Sequence, residues 1–327
     1  MSKDIFAASA IALLAPILTV GAVWYASELV APPSSPKEVP VAALVSVQEE
    51  QEGAEVEPQT EQENTPKEEQ QPEGPIARDF DVDSYESNAS AAIMVHPSSG
   101  QVLFNNNAHE VRSIASLSKL MAALVAIEGL DKGAEFTVSE NAASTSGKSA
   151  GLTAGEVILV EDALFAALLE SGNDAVVALE DYYNALHPGT GGSPFVARMN
   201  ALAKEWGLSN TSFAEPTGLS ASNKSTAFEV AKLMEKAYDN ATLRTILSVP
   251  RYATATHSWE TTNTLLNKEP GIVGAKTGYT QEAGQSLVLV GVTDSKETVI
   301  MVVLDAEGDR IAEGARMWRW AQKAYDW

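Results

Sequence analysis

Residues 286–304 read SLVLVGVTDSKETVIMVVL, and their pattern points to the fold class. Two strongly β-branched runs, 286–293 and 298–304, are joined by Asp294-Ser295-Lys296-Glu297, which predicts an antiparallel hairpin. Far upstream, 91–95 and 101–104 read as two short strands around the turn His96-Pro97-Ser98-Ser99-Gly100. The intervening chain is helical in pattern. One helix is expected over 116–127 with Gly129 as its stop, and two more over 161–170 and 175–185, interrupted at Ser171-Gly172-Asn173. Others fall near 194–206 and 226–238, and a last one over 312–325. Strands at both ends with helices between predict an α+β domain over 79–327, one antiparallel sheet with helices packed on it.

The chain before this domain has a different character. Residues 5–27 carry no charge over 23 positions. As a helix they would cover about 34 Å, enough for a bilayer core of ~30 Å. Trp24 and Tyr25 sit where an interfacial aromatic belt would fall. The stretch is long for a cleavable signal peptide, so residues 1–30 are expected to be an uncleaved transmembrane signal-anchor; cleavage near Ala31 is the competing expectation. Residues 31–78 turn to Glu, Gln, Pro and Ser, with eleven acids against three bases. So few aliphatic side chains cannot offset the entropy of ordering, and an acidic disordered linker is expected, spanning about 38 Å as a flexible coil.

Charge and composition exclude several classes. The 22 Lys+Arg against 44 Asp+Glu give −22, which argues against nucleic acid as a partner. With no cysteine, thiolate catalysis, disulfides and Cys-ligated zinc are excluded. The four histidines, His96, His109, His187 and His257, form no metal-binding spacing, and neither metal nor cofactor is expected.

Three short motifs carry the chemistry: Ser116-Leu117-Ser118-Lys119, Ser171-Gly172-Asn173 and Lys276-Thr277-Gly278. On a helix, residues i and i+3 share a face, so Ser116 can hand its proton to Lys119 if the amine is neutral. Burial and a second cation, for which Lys276 is the candidate, both disfavour the ammonium form. A serine at a helix N-terminus also gains free backbone N–H groups. Each motif alone is weak. Ser34-Ser35-Pro36-Lys37 repeats the first spacing inside the linker, and Ser139-Glu140-Asn141 mimics the second.

Their order and spacing together resemble the serine D-alanyl-D-alanine carboxypeptidases, the low-molecular-mass penicillin-binding proteins. The likeness extends through Ala115–Met121, Leu168–Ala175, Pro216-Thr217-Gly218-Leu219, Ser225-Thr226-Ala227, Thr262–Leu266 and Lys276–Thr280 with Ala283-Gly284. It covers roughly residues 85–325. The resemblance implies a DD-peptidase/β-lactamase-like fold with an all-helical subdomain beside the sheet. It also implies a site. Ser116 would attack the carbonyl between two D-alanines of a peptidoglycan stem peptide, Lys119 would take its proton, and Ser171 would relay one to the leaving amine. Asn173 would bind the substrate backbone, while Lys276 and Thr277 would hold the terminal carboxylate. Backbone N–H groups of Ser116 and Tyr279 would form the oxyanion hole. Gly278 would let substrate approach the strand. Arg310 matches a carboxylate-pocket arginine, and a surface charge at a helix start is the competing expectation. β-Lactams would be covalent inhibitors. With the anchor, the catalytic domain is expected on the cell-wall side of the plasma membrane.

Competing readings are separable. Gly147-Lys148-Ser149-Ala150-Gly151 fits the G-x-S-x-G elbow and echoes a P-loop end, but no strand precedes it and Ala142 occupies the P-loop's first glycine position; a polar loop is expected. A class A β-lactamase would need a deacylating glutamate in an E-x-x-L-N context, which neither Glu205 nor Glu215 has. Cross-link endopeptidase activity and a non-catalytic wall-binding module also compete with terminal trimming. Which lysine has the lower pKa stays open at this level. The C-terminal stretch 316–327 is expected to pack Trp318, Ala321 and Tyr325 on the sheet rather than lie on a membrane surface.

Overall fold

The structure, a computed structural model, describes residues 76–327. The expected anchor, 1–30, and all of the expected linker but its last three residues lie outside the described residues. Five strands form the main sheet: β1 (Ala89–His96), β2 (Gln101–Asn106), β3 (Ile272–Thr280), β4 (Gly284–Val292) and β5 (Thr298–Ala306). Their spatial order is β3-β4-β5-β1-β2, with every neighbouring pair antiparallel. The two predicted hairpins therefore join through β5 and β1, where Val303 faces Ala92. The fold is the α+β arrangement expected.

The unbroken apolar runs of β4 and β5 reflect a sheet covered on both faces. Val288, Val290, Ile300, Val302 and Leu304 point into one core; Leu287, Leu289, Val299, Met301 and Val303 point into the other. Helices form the rest: α1 (Lys119–Gly129), α2 (Val160–Leu168), α3 (Asn173–Leu186), α4 (Pro194–Glu205), α5 (Ala227–Asp239), α6 (Ala241–Ser248) and α7 (Arg310–Ala324). Among the described helices, α7 is the one that covers the second face, with Tyr85 and Leu265 beside it. It buries Met317, Trp318 and Ala321, and Tyr325 follows them into the same core, as the sequence predicts. The indole of Trp318 donates to the Pro270 carbonyl at 2.7 Å. Trp318→Ala should lower the unfolding free energy by about 3–5 kcal/mol, read from urea denaturation. A loss below about 1 kcal/mol would mean that this face repacks.

The other helices form the all-helical layer, with α1 apolar all round and packed among α2, α3, α4 and α5. Gly129 does not stop α1 by adopting a left-handed turn. It is the helix's last residue, and a Cβ there would lie 2.2 Å from the ring of Tyr183 on α3, so its smallness serves helix packing. The short α6 is not legible as a periodic stretch; Asn240 starts it by accepting from the N–H groups of Thr242 and Leu243 at 3.0 and 3.1 Å. Ala77–Arg78 pair antiparallel with Tyr325–Asp326, and the Arg78 guanidinium lies over the rings of Trp320 and Tyr325.

Candidate active site

The edge strand β3, the start of α1 and the α2–α3 junction meet at one seam, and all three motifs lie there. Ser116 sits in a single 3-10 turn, Ala115–Ser118, that leads into α1 instead of in the α-helix itself. Ala115 takes φ +46°, a left-handed conformation costly for a side chain with Cβ. Strain of this kind persists where the surroundings over-determine it. The i, i+3 relation survives the tighter turn: Lys119 Nζ lies 2.9 Å from Ser116 Oγ.

Lys119 is completely buried. Its amine also donates to Asn173 Oδ1 and to the Thr217 carbonyl, both at 2.7 Å. Burial pushes its pKa down from the usual 10.5 to about 7, partly offset by the negative charges of Glu215 and Asp174. Near neutrality a large fraction of Lys119 is the free amine. A neutral amine beside a serine hydroxyl can accept its proton.

The second motif hinges on strain as well. Ser171 adopts φ +62° between α2 and α3, and its Oγ accepts from Lys276 Nζ at 2.8 Å. Asn173 opens α3 with its amide already engaged, Oδ1 by Lys119 and Nδ2 donating to the Ser146 carbonyl at 2.8 Å. Lys276, on β3, is buried too, and burial with the nearby charges of Lys119 and Arg310 holds its pKa well below the usual lysine value. Among the described residues the charges that act on Lys276 are cationic, so an anion entering the seam would favour its charged form.

Ser116, Ser171, Asn173, Thr277, Gly278, Tyr279 and Arg310 line one cavity of about 350 Å³. Thr277 shares a 2.6 Å hydroxyl–hydroxyl hydrogen bond with Thr262, which lines the same cavity. Arg310, at the start of α7, donates to the Gly278 carbonyl and to Gln285 Oε1, while its buried Nε has no partner among the described residues. Arg310 thus both starts α7 and lines the cavity. The side chain of Tyr279 is largely exposed at the rim.

Gly278 lines the same cavity and also lies close to the protein's own backbone. A Cβ at 278 would meet the nucleophile turn, 3.0 Å from the Ile114 carbonyl and 3.3 Å from Ser116 N. The glycine lets β3 lie against the protein's own turn.

Sequence reasoning gives no role to the group that completes the lysine's environment. The carbonyl of Thr217 is held by a loop organised on Glu215, whose carboxylate accepts from Thr217 N, Thr217 Oγ1, Gly218 N and Ser220 N at 2.5–3.1 Å. Both Glu215 oxygens are thus committed to structure, which leaves this glutamate no lone pair pattern suited to activating water. The Pro216–Leu219 stretch is visible in the sequence only as part of a resemblance. Gly147-Lys148 proves to be a wall of the cavity, against Asn173 and Leu219.

An antiparallel sheet beside a helical layer, with a serine–lysine pair at their seam, is the DD-peptidase/β-lactamase-like arrangement that the resemblance implied. The D-alanyl-D-alanine carboxypeptidase family (peptidase S11) matches over residues 78–308, and the chain belongs to that family. Among its relatives, the D-alanyl-D-alanine carboxypeptidase DacF of Bacillus subtilis is 36% identical over 206 residues, 60% of this chain and 52% of that one. This chain therefore spans about half of that relative's length. The D-alanyl-D-alanine endopeptidase of Pseudomonas aeruginosa is 34% identical over 246 residues, covering 72% of this chain and 77% of its own. The crystal structure of the Streptomyces K15 DD-transpeptidase superposes with a TM-score of 0.67 at 28% identity, over 73% of this chain and 98% of that one.

Proposed function

We propose that this chain is a serine DD-carboxypeptidase that removes the terminal D-alanine from peptidoglycan stem peptides through an acyl-enzyme on Ser116. The observation that carries the reading is the buried, readily neutral amine of Lys119 at 2.9 Å from Ser116 Oγ. In the proposed reaction Ser116 Oγ bonds to the penultimate D-alanine carbonyl carbon as its proton passes to Lys119. Backbone N–H groups of Ser116 and Tyr279 receive the oxyanion. Ser171, hydrogen-bonded to Lys276, relays the proton taken up by Lys119 to the departing amine as the C–N bond breaks, so Lys119 ends the step neutral and Ser171 protonated. Thr277, Lys276 and Arg310 take the terminal carboxylate, and the remaining N–H of Asn173 is offered to the substrate backbone. Water then hydrolyses the ester and restores Ser116. An adjoining cavity of about 630 Å³ shares Leu219 with the first and gives room for peptide beyond the scissile bond.

The test is incubation with fluorescent penicillin followed by peptide mapping, and release of D-alanine from a linear pentapeptide. A single adduct on the Ser116 peptide and released D-alanine are expected. No adduct, or one on another serine, would sink the reading. Cleavage of cross-linked dimer is the second reading, supported by the endopeptidase relatives at 34% identity, and the same preparation assayed on both substrates separates the two.

Acylation should also depend on pH through Lys119. Only its neutral form accepts the proton, so the second-order rate constant should fall about tenfold per unit below pH about 7 and level off above it. A profile flat from about pH 5.5 to 9, or a limb near pH 10, would remove Lys119 from this role.

The uncharged stretch 5–27 supports extending the proposal to a single-pass tether with the catalytic domain outside the plasma membrane. Among the described residues no helix is long and apolar enough to cross a membrane. Fractionation of cells expressing the full chain, with protease added to intact spheroplasts, tests this extension. A protected or soluble domain would overturn it.

A further inference from the structure

The segment that reads in the sequence as a polar loop forms the cavity wall, and one buried carboxylate holds it. Asp174, the second residue of α3, is fully buried. It accepts from the backbone N–H groups of Ala150 at 2.8 Å, Gly151 at 3.0 Å and Leu152 at 3.1 Å, and from the Ser149 hydroxyl at 2.6 Å. It also accepts from Ala175 N on its own helix at 2.9 Å. The wall so held returns two carbonyls to Asn173: Lys148 O takes its backbone N–H at 2.7 Å and Ser146 O takes Nδ2 at 2.8 Å. Asn173 Oδ1 in turn receives the amine of Lys119 at 2.7 Å.

We propose that Asp174 is a positioning residue whose carboxylate latches segment 146–152 onto the start of α3, and so holds Asn173 and, through it, Lys119. The proposal rests on the serine DD-peptidase reading for its effect on catalysis, though not for the latch itself.

Three features fit a latch and not an incidental contact. The interlock is built for closeness. A Cβ on Gly172 would fall 2.6 Å from Ala150 Cβ, and one on Gly147, which takes φ +87°, would fall 2.7 Å from Asn173 Nδ2. The wall is also braced from behind, where the Trp259 indole donates to the Ala150 carbonyl at 2.8 Å. Finally, the donor set demands an anion. Five N–H and O–H groups converge on two oxygens, and a carboxamide would present an NH₂ to some of those donors. Asp174→Asn keeps the shape and removes the ability to accept them all.

The experiment uses the full chain and two variants, Asp174→Asn and Gly147→Ala. Hydrogen exchange reads the latch without reference to activity: the amides of residues 150–152 should exchange at least about tenfold faster in Asp174→Asn. Penicillin acylation reads its consequence. For Asp174→Asn the rate constant should fall about 100-fold, as a small misplacement of catalytic groups costs. Its acid limb should also move to lower pH, because one of the charges favouring the ammonium form has gone. The charged groups around Lys119 are Glu215, Asp174 and Lys276, so only the Asp174 contribution changes. A merely structural role would lower the amplitude without moving the limb. Gly147→Ala is a change on an exposed loop and should lower the rate at least about tenfold with the limb in place. Unchanged exchange at 150–152, or wild-type acylation with an unmoved limb in Asp174→Asn, overturns the proposal. Should Asp174→Asn fail to fold, wild-type acylation by Gly147→Ala overturns it and slowed acylation supports it. If the wild-type chain forms no adduct, the functional reading falls and hydrogen exchange alone decides the latch.

Discussion

Lys119→Met should slow acylation of Ser116 by roughly 10³–10⁴-fold, the upper range for loss of a positioned general base. Methionine keeps length and apolarity while removing the only amine in hydrogen-bond contact with Ser116 Oγ among the described residues. Stopped-flow acylation by a fluorescent penicillin measures it, with Ser116→Ala setting the floor. A rate within about tenfold of wild type would transfer the base role elsewhere, and Lys276 acting through Ser171 is the candidate that the geometry offers. The same variant carries a stability signature. A lysine whose pKa falls from 10.5 to about 7 on folding releases its proton in the native state while the unfolded chain keeps it. Native stability of the wild type therefore rises with pH across that window, and below about pH 7 the full penalty of burying the charge is present. Lys119→Met has no such dependence. The difference in unfolding free energy between the two should shift in favour of the wild type as pH rises from about 7 towards about 10. A difference constant with pH would mean that Lys119 keeps an ordinary pKa.

Gly218→Ala should cost at least about 100-fold in acylation and strain the fold as well. Gly218 holds φ +86°, where a Cβ is disfavoured by about 1–2 kcal/mol. That Cβ would lie 2.0 Å from the Ala115 carbonyl oxygen and 2.7 Å from Ser116 N, so backbone must yield. Two things then move together: the turn that aims the nucleophile, and the adjacent Thr217 carbonyl that receives the Lys119 amine. Acylation kinetics and a thermal melt on one preparation check both parts. Wild-type acylation by a folded Gly218→Ala protein would show that the turn tolerates displacement. Aligned catalytic geometry predicts that it does not.

Much of this site is legible because its signals are local. The spacing of Ser116 and Lys119 needs only one turn of chain, and it survives even though the turn is 3-10 where an α-helix is expected. The runs of β4 and β5, and the interruption at Ser171-Gly172-Asn173, are likewise written in consecutive residues. What escapes depends on distant partners. The Thr217 carbonyl reaches Lys119 from 98 positions away, and a backbone oxygen leaves no mark in residue identity. The close approach of Gly278 to Ile114 and Ser116 is likewise invisible in the sequence, because those residues lie more than 160 positions away. Gly147-Lys148-Ser149-Ala150-Gly151 resembles two unrelated motifs, and only its hydrogen bonds to Asp174 and Asn173 show what it does.

The amino-acid sequence by itself determined four of the five main strands, the longer helices, the three motifs and the family they resemble, since periodicity and short spacings are properties of neighbouring residues. Strand β3 and helix α6 were not legible in it. Only the tertiary structure decided the protonation of Lys119. Burial lowers the pKa of that amine, which sits among Ser116, Asn173 and the Thr217 carbonyl, while Glu215 and Asp174 partly restore its charge. Desolvation and Coulomb interactions depend on distance in space, and the groups concerned lie dozens of residues apart along the chain.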